Sequence, residues 1–312
     1  MYNIPVLFVF FNRKETALQS FQRIRAIRPA HLYLAQDGPR ADKGSAEAQL
    51  VQDVRQSILS QIDWECDVHT LFRPQNVGCS LGVKTAIDWM FTTESCGIIL
   101  EDDCVVQPSF WQYMQEMLTL YQSDNRIGMV AGYNEIHTSH SPYSYTFSRY
   151  KACWGWATWQ RAWQNMDIDM KWRNTADRLS VLHNMGSRIE DIRYWTYRLR
   201  CIDTHFVSAW DWQWYFTLSS QNQLCIFPHV SLVSNIGFGA DSTHTTSYFS
   251  EGNRESMDNL TFPLVHPQYI LPNSEFDKHF YHHNNNLHNR IIQLLPLRFK
   301  SFIKNFLAKT KR

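Results

Sequence analysis

Three consecutive carboxylates, Glu101-Asp102-Asp103, follow directly on the apolar run Gly97-Ile98-Ile99-Leu100. Such a run reads as a buried strand, and its end is rigid. Three acids fixed there repel one another unless a cation sits among them. Hard divalent cations, Mg2+ or Mn2+, take oxygen ligands of this kind and bridge to diphosphates; the alternative is a solvated acidic turn. A fourth acid, Asp211, is enclosed in Trp210-Asp211-Trp212-Gln213-Trp214. Apolar surroundings raise a carboxyl's pKa and favour proton acceptance, which suits a general base. The competing reading makes Asp211 the N-cap of a core helix over 212–218.

Other residue types fit the same chemistry. Arg73, Asn76, Gly78 and Lys84 lie between a third strand and the helix after it, where an Arg or Lys can pair with phosphate oxygens. Asn76-Val77-Gly78 also reads as a plain turn, and Lys84 as a surface helix residue. Trp154-Gly155-Trp156 offers two indole faces on which the apolar face of a pyranose can stack, with a glycine that lets a sugar approach the backbone; both Trp read equally well as core. Residues 234–245 form a long, polar, glycine-rich stretch, which suits a flap closing over a donor to exclude water.

The elements that must position these groups follow from periodicity. Residues 4–11 are almost continuously apolar and read as a strand buried on both faces. Residues 16–27 read as a helix, 31–35 as a second strand, 46–62 as a helix, 67–72 as a third strand, 80–91 as a helix and 97–100 as a fourth strand. A helix over 109–121 and a strand over 127–131 complete the series. Strands alternating with helices indicate an α/β layer with a mostly parallel sheet. Ligands bind such sheets beyond the carboxyl ends of the strands. Asn12-Arg13, Asp37 in the turn Gln36-Asp37-Gly38-Pro39, and Glu101-Asp102-Asp103 all stand at those ends, so they are expected to share one crevice.

These motifs together resemble a GT-A-fold glycosyltransferase of the bacterial nucleotide-diphospho-sugar type, similar in motif order to the N-acetylglucosaminyltransferase I family. Residues 4 to about 245 carry the resemblance. It implies a GT-A-like, Rossmann-like α/β fold with a mostly parallel sheet flanked by helices. It implies that Arg13 meets the diphosphate of a UDP-sugar donor, that Asp37 reads the uracil, that Asp102 faces the ribose and that Glu101 faces the donor sugar or a neighbouring group. Asp103 would ligate Mn2+ or Mg2+, and His244, in the 234–245 loop, would ligate the metal or touch the pyrophosphate. Asp211 matches the family's catalytic base, although Trp212 stands where the relative carries a second Asp.

Composition narrows the classes. With 312 residues, 44% hydrophobic and 19% charged, the chain can bury a full core as a soluble globular protein, and a net charge of +1 argues against an electrostatic nucleic-acid partner. Seven Cys without a C-x-x-C pair suggest neither disulfides nor zinc. No signal peptide or membrane span is legible, so a cytoplasmic location is expected. From Arg290 to Arg312 there are seven Lys/Arg and no acid. Ile291, Leu295, Phe299, Phe302 and Phe306 recur there at helical spacing, as in a basic amphipathic helix lying on a membrane surface; a packed C-terminal helix is the alternative. The expected organisation is one domain over 1–289, with a nucleotide-binding half (1–135) and an acceptor-binding half (136–289), followed by the tail at 290–312. The expected acceptor is a glycan or lipid-linked glycan precursor at the inner face of the plasma membrane. A nucleotidyltransferase would need a glycine-rich loop after the first strand, and Asn12-Arg13-Lys14-Glu15-Thr16 has none. A non-catalytic nucleotide-sugar or glycan-binding protein remains the competing class.

Overall fold

The first apolar run becomes β1 (Val6–Phe10), buried except at Val9, as a strand covered on both sides must be. The computed structural model describes residues 2–136, 141–186, 188–206, 210–237 and 257–294. After β1 come α1 (Lys14–Ile27), β2 (His31–Gln36), α2 (Gly44–Leu59), β3 (Asp67–Phe72), α3 (Cys79–Met90), β4 (Cys96–Glu101), β5 (Cys104–Val106), α4 (Pro108–Leu120) and β6 (Ile127–Ala131). The alternation read from the sequence is therefore present in order, with β5 added. Its helices are amphipathic for the stated reason: in α1 the buried Ala17, Phe21 and Ile24 fall four and three residues apart, one stripe of a helix.

The second half contributes β7 (Tyr145–Ser148), β8 (Trp156–Trp159), α5 (Gln160–Trp163), α6 (Arg178–His183), α7 (Ile189–Asp203), α8 (Asp211–Ser220), β9 (Leu224–Pro228), β10 (Val233–Asn235), α9 (Ser274–Asn284) and α10 (Leu287–Leu294). Strands from both halves interleave in one eight-stranded sheet, ordered β3-β2-β1-β4-β8-β6-β9-β7. Only β8 and β7 run against the other six. The fold is thus α/β, with a mostly parallel sheet flanked by helices.

Register sets the working edge of the sheet. Phe10 pairs with Gln36, Gln36 with Phe72, and Val9 with Glu101. Hence the chain leaves β1 at Asn12-Arg13, β2 at Asp37, β3 at Arg73 and β4 at Asp102-Asp103 along the same edge. A separate two-stranded ribbon, β5 with β10, pairs Cys104 with Asn235 and so ties residues 233–235 to the acidic motif.

The core of the second half is an indole cluster. Trp156 stacks on Trp210 with ring centroids 5.8 Å apart, and Trp163 lies 4.8 Å from Trp214. Asn273 caps α9 by accepting the backbone N–H groups of Glu275 and Phe276. Phe276 and Phe280 of that helix are buried, Phe280 lying 4.7 Å from Tyr150. On α10, Leu287 and Ile291 are exposed. The rest of the basic tail, including Leu295, Phe299, Phe302 and Phe306, lies outside the described residues. No described helix is long and apolar enough to cross a membrane.

Candidate active site

At the end of β4 the three acids take different partners. Asp102 is buried; it forms an ion pair with the Arg13 guanidinium and accepts the Phe11 backbone N–H at 3.3 Å. Asp103 lies 3.1 Å from the same guanidinium and accepts from the Asn235 side-chain amide at 3.3 Å, while its carbonyl accepts the Ile236 N–H at 2.9 Å. Arg13 therefore sits between two carboxylates. Burial works against its charge, but Asp102 and Asp103 together raise its pKa above the ordinary value. Burial pushes the Asp102 carboxyl up to about 6 despite Arg13, with Asp103 adding to the rise. Burial also lifts Glu101 well above the carboxylate range, followed by repulsion from Asp103, Asp102 and Asp211. One guanidinium thus leaves the cluster short of positive charge.

Residues 234–237 close over this pair. A Cβ on Gly237 would lie 2.2 Å from Asp103 Oδ2 and 3.0 Å from Arg13 Nη1, so only glycine lets the backbone pass so near. The remainder of the glycine-rich stretch, with His244, lies outside the described residues.

Several residues read from the sequence as donor-binding are engaged with partners within the protein. Asp37 spends both carboxylate oxygens on the backbone N–H groups of Gly38, Val77 and Gly78 at 3.0–3.1 Å, which makes it a cap for the turn entering α3 rather than an open base reader. The Asn76 amide donates to the Gly38 carbonyl at 3.0 Å, and Gly78 has φ +85°, so this segment is the turn that its glycine permits. Asn12 donates to Glu47, which Arg40 grips through both backbone and side chain. Arg73 donates to Thr85 at 2.6 Å. Lys84 pairs with Asp88, one turn along α3, at 2.6 Å, in keeping with its reading as a surface helix residue.

The Trp154-Gly155-Trp156 segment divides between its two readings. Trp156 has no exposed surface and belongs to the indole cluster, so it offers no face to a sugar. Gly155 has φ +57°, and a Cβ there would strike Val233 at 2.7 Å; its glycine serves packing between β8 and the β5–β10 ribbon. Trp154 alone is partly exposed, and it meets Tyr133 edge-on at 4.6 Å.

Asp211 is the first residue of α8, with Trp210 at the N-cap position. Stacking of Trp210 in the core fixes where that helix begins and hence where the carboxylate emerges. Burial pushes Asp211 up to about 6, opposed by the Trp212 N–H and by Arg198. Its field reaches the end of β4: it raises Glu101, and Glu101, Asp211, Asp102 and Asp103 all act, after burial, to raise the thiol of Cys79 at the head of α3. Acids from β4 and α8, more than a hundred residues apart, therefore share one neighbourhood. Asp211 also lines a cavity of about 190 Å³ together with Trp154, Trp212 and Arg198. Sequence reading missed Arg198, whose only signal was a cation on the aromatic face of α7 four residues after Tyr194. It also missed the specific link of Asn235 to Asp103, which depends on the β5–β10 pairing.

Among the described residues no three His, Cys, Asp or Glu side chains are placed to hold a metal ion by themselves. Mg2+ and Mn2+ held by one or two carboxylates plus substrate phosphates need no such cage. The oxygen donors, the shortage of positive charge and the greater exposure of Asp103 over Asp102 (18% against 7% of the side chain) fit such an ion at Asp103.

No known protein family and no curated protein matches the sequence. Among solved structures the chain is similar to a UDP-glucose pyrophosphorylase complexed with UDP-glucose, at 12% identity over 46% of this chain and 62% of that one, with a TM-score of 0.26. This chain thus spans about three fifths of that protein's length. It is also similar to mouse xyloside xylosyltransferase 1, at 10% identity over 72% and 84% of the two chains, TM-score 0.34. A third is the glycosyltransferase GlyE of Streptococcus pneumoniae TIGR4, at 12% identity over 78% and 58%, TM-score 0.31. At these scores the likeness carries no argument about what this chain binds or does.

Proposed function

We propose that the chain is a metal-dependent glycosyltransferase that takes a sugar from a nucleotide-diphosphate donor, a UDP-sugar, and transfers it with inversion. The observation that carries this reading is the nearness of Asp211, a carboxylate from a different half of the chain that borders its own cavity, to Glu101 at the end of β4. With a pKa of about 6, Asp211 is ionised at neutral pH and can take the proton of an acceptor hydroxyl. The freed oxygen attacks the anomeric carbon as the bond to the diphosphate breaks, so a single displacement inverts that carbon. Arg13, held by Asp102, supplies positive charge for the diphosphate. A divalent cation at Asp103, with His244 as a further ligand, would neutralise the departing nucleotide. Residues 234–245 would close over the donor and exclude water.

The proposed acceptor is a bacterial cell-surface glycan or glycolipid precursor, reached from the cytoplasmic face through residues 290–312. The motivation is the run of basic residues with apolar residues at helical spacing. Truncation after Asn289 should abolish co-sedimentation with phosphatidylglycerol vesicles and leave donor binding intact; equal pelleting of both forms would make the tail an ordinary helix. The function itself is tested by incubating the protein with UDP-sugars, Mn2+ and glycan acceptors. Release of UDP coupled to product, and its loss in excess EDTA, is expected. Undiminished transfer in EDTA would remove the metal from the account. Binding of UDP-sugars with no transfer to any acceptor would favour a non-catalytic nucleotide-sugar-binding protein.

A further inference from the structure

The cavity bordering Asp211 holds a cation that no other residue in the account uses. Arg198 lies with its guanidinium 4.4 Å from the ring centres of both Trp212 and Tyr194 and donates one hydrogen bond, to the Tyr194 hydroxyl. Its Nε is buried and has no hydrogen-bond partner, and no carboxylate is within ion-pair distance of it, among the described residues. A guanidinium carries five N–H donors in a planar fork that matches a carboxylate or a phosphate. Only one of those donors is spent, on Tyr194, among the described residues, so the rest of the fork is a natural place for a ligand's oxygens. The cavity also has indole faces from Trp154 and Trp212 and a hydroxyl-binding acid in Asp211. At about 190 Å³ it is smaller than the roughly 300–1,000 Å³ of sites for drug-sized ligands, a size suited to one sugar ring and not to a nucleotide.

We infer that this cavity receives the acceptor and that the acceptor is an anionic sugar, whose carboxylate or phosphate is read by Arg198 while its hydroxyl faces Asp211. The inference rests on the glycosyl-transfer reading for the word acceptor, but not for the binding itself. The test is therefore binding of monosaccharides without donor, followed by ligand-observed NMR titration. Methyl β-glucuronide, glucose 6-phosphate and methyl β-glucoside serve as probes, with thermal melting as the check of fold. One or both anions should bind about ten- to hundredfold more tightly than the glucoside, the worth of a charge-assisted hydrogen bond; the tighter of the two identifies carboxylate or phosphate as the group read. Arg198→Gln should erase the preference and Arg198→Lys should keep part of it. A wild-type protein that binds the glucoside as well as either anion, or none of the three, overturns the proposal, as does an Arg198→Gln variant that retains the preference. Should Arg198→Gln fail to fold, the wild-type ranking and Arg198→Lys still decide. Failure of the protein to bind UDP would sink the transferase reading while leaving this ranking of sugars to be judged separately.

Discussion

Asp102 and Asp211 are both pushed up to about 6 by burial, yet they sit in opposite kinds of surroundings. Asp102 belongs to a crowd: it is joined to Arg13, backed by Asp103 and fixed by the register of β1 with β4. Asp211 stands as the one acid of its helix, walled by indoles, with Arg198 nearby but no carboxylate neighbour in its own segment. The same titration behaviour thus serves two ends. A carboxylate locked to a guanidinium holds that guanidinium in place and is poorly available as a base. A carboxylate at the wall of a cavity without such a lock is free to exchange a proton with what enters. On the proposed function, the sheet edge handles charge and the cavity handles the proton.

The sharpest way to separate the two regions is to remove one acid from each. Asp103→Ala should abolish transfer together with the Mn2+ dependence of nucleotide binding, read by titration of UDP with and without the metal, because the proposed metal ligand of the cluster is gone. Nucleotide binding that keeps its full Mn2+ dependence would show that the sheet edge does not handle the metal. The next effect is graded. Below about pH 6 Asp211 gains a proton and can no longer accept one, so kcat/KM should fall tenfold per pH unit on the acid side and be level above it. Asp102 titrates in the same range, and Asn at 211 tells them apart: if the acid limb persists unchanged in Asp211→Asn, it belongs to the sheet edge.

How much could be read in advance differs between the regions for the same physical reason. The sheet edge is written in local order, since apolar runs ending in Asn12-Arg13, Asp37 and Glu101-Asp102-Asp103 must be brought together once parallel strands align. Even so, the sequence did not reveal that Asp37 would be consumed as a cap or that Lys84 would turn to Asp88, because both depend on which backbone N–H or side chain comes within reach. The cavity is assembled from α7, α8, α9 and the segment before β8, elements that meet only through tertiary packing. Asp211 was legible because its three indole neighbours are adjacent in the chain. Trp156 stayed open between platform and core for the mirror-image reason: a Trp beside a glycine suits either, and only the stacking on Trp210 reveals it as core.

The central claim is that Asp211 is the proton acceptor of a transfer whose donor is held elsewhere, and Asp211→Asn tests it most directly because the change is nearly isosteric. Turnover with acceptor and affinity for UDP should be measured on the same preparation. The account predicts that kcat falls by about a hundredfold or more while UDP affinity and thermal stability stay at wild-type values. Normal turnover in Asp211→Asn would contradict it, leaving Asp211 as a residue that only begins a helix.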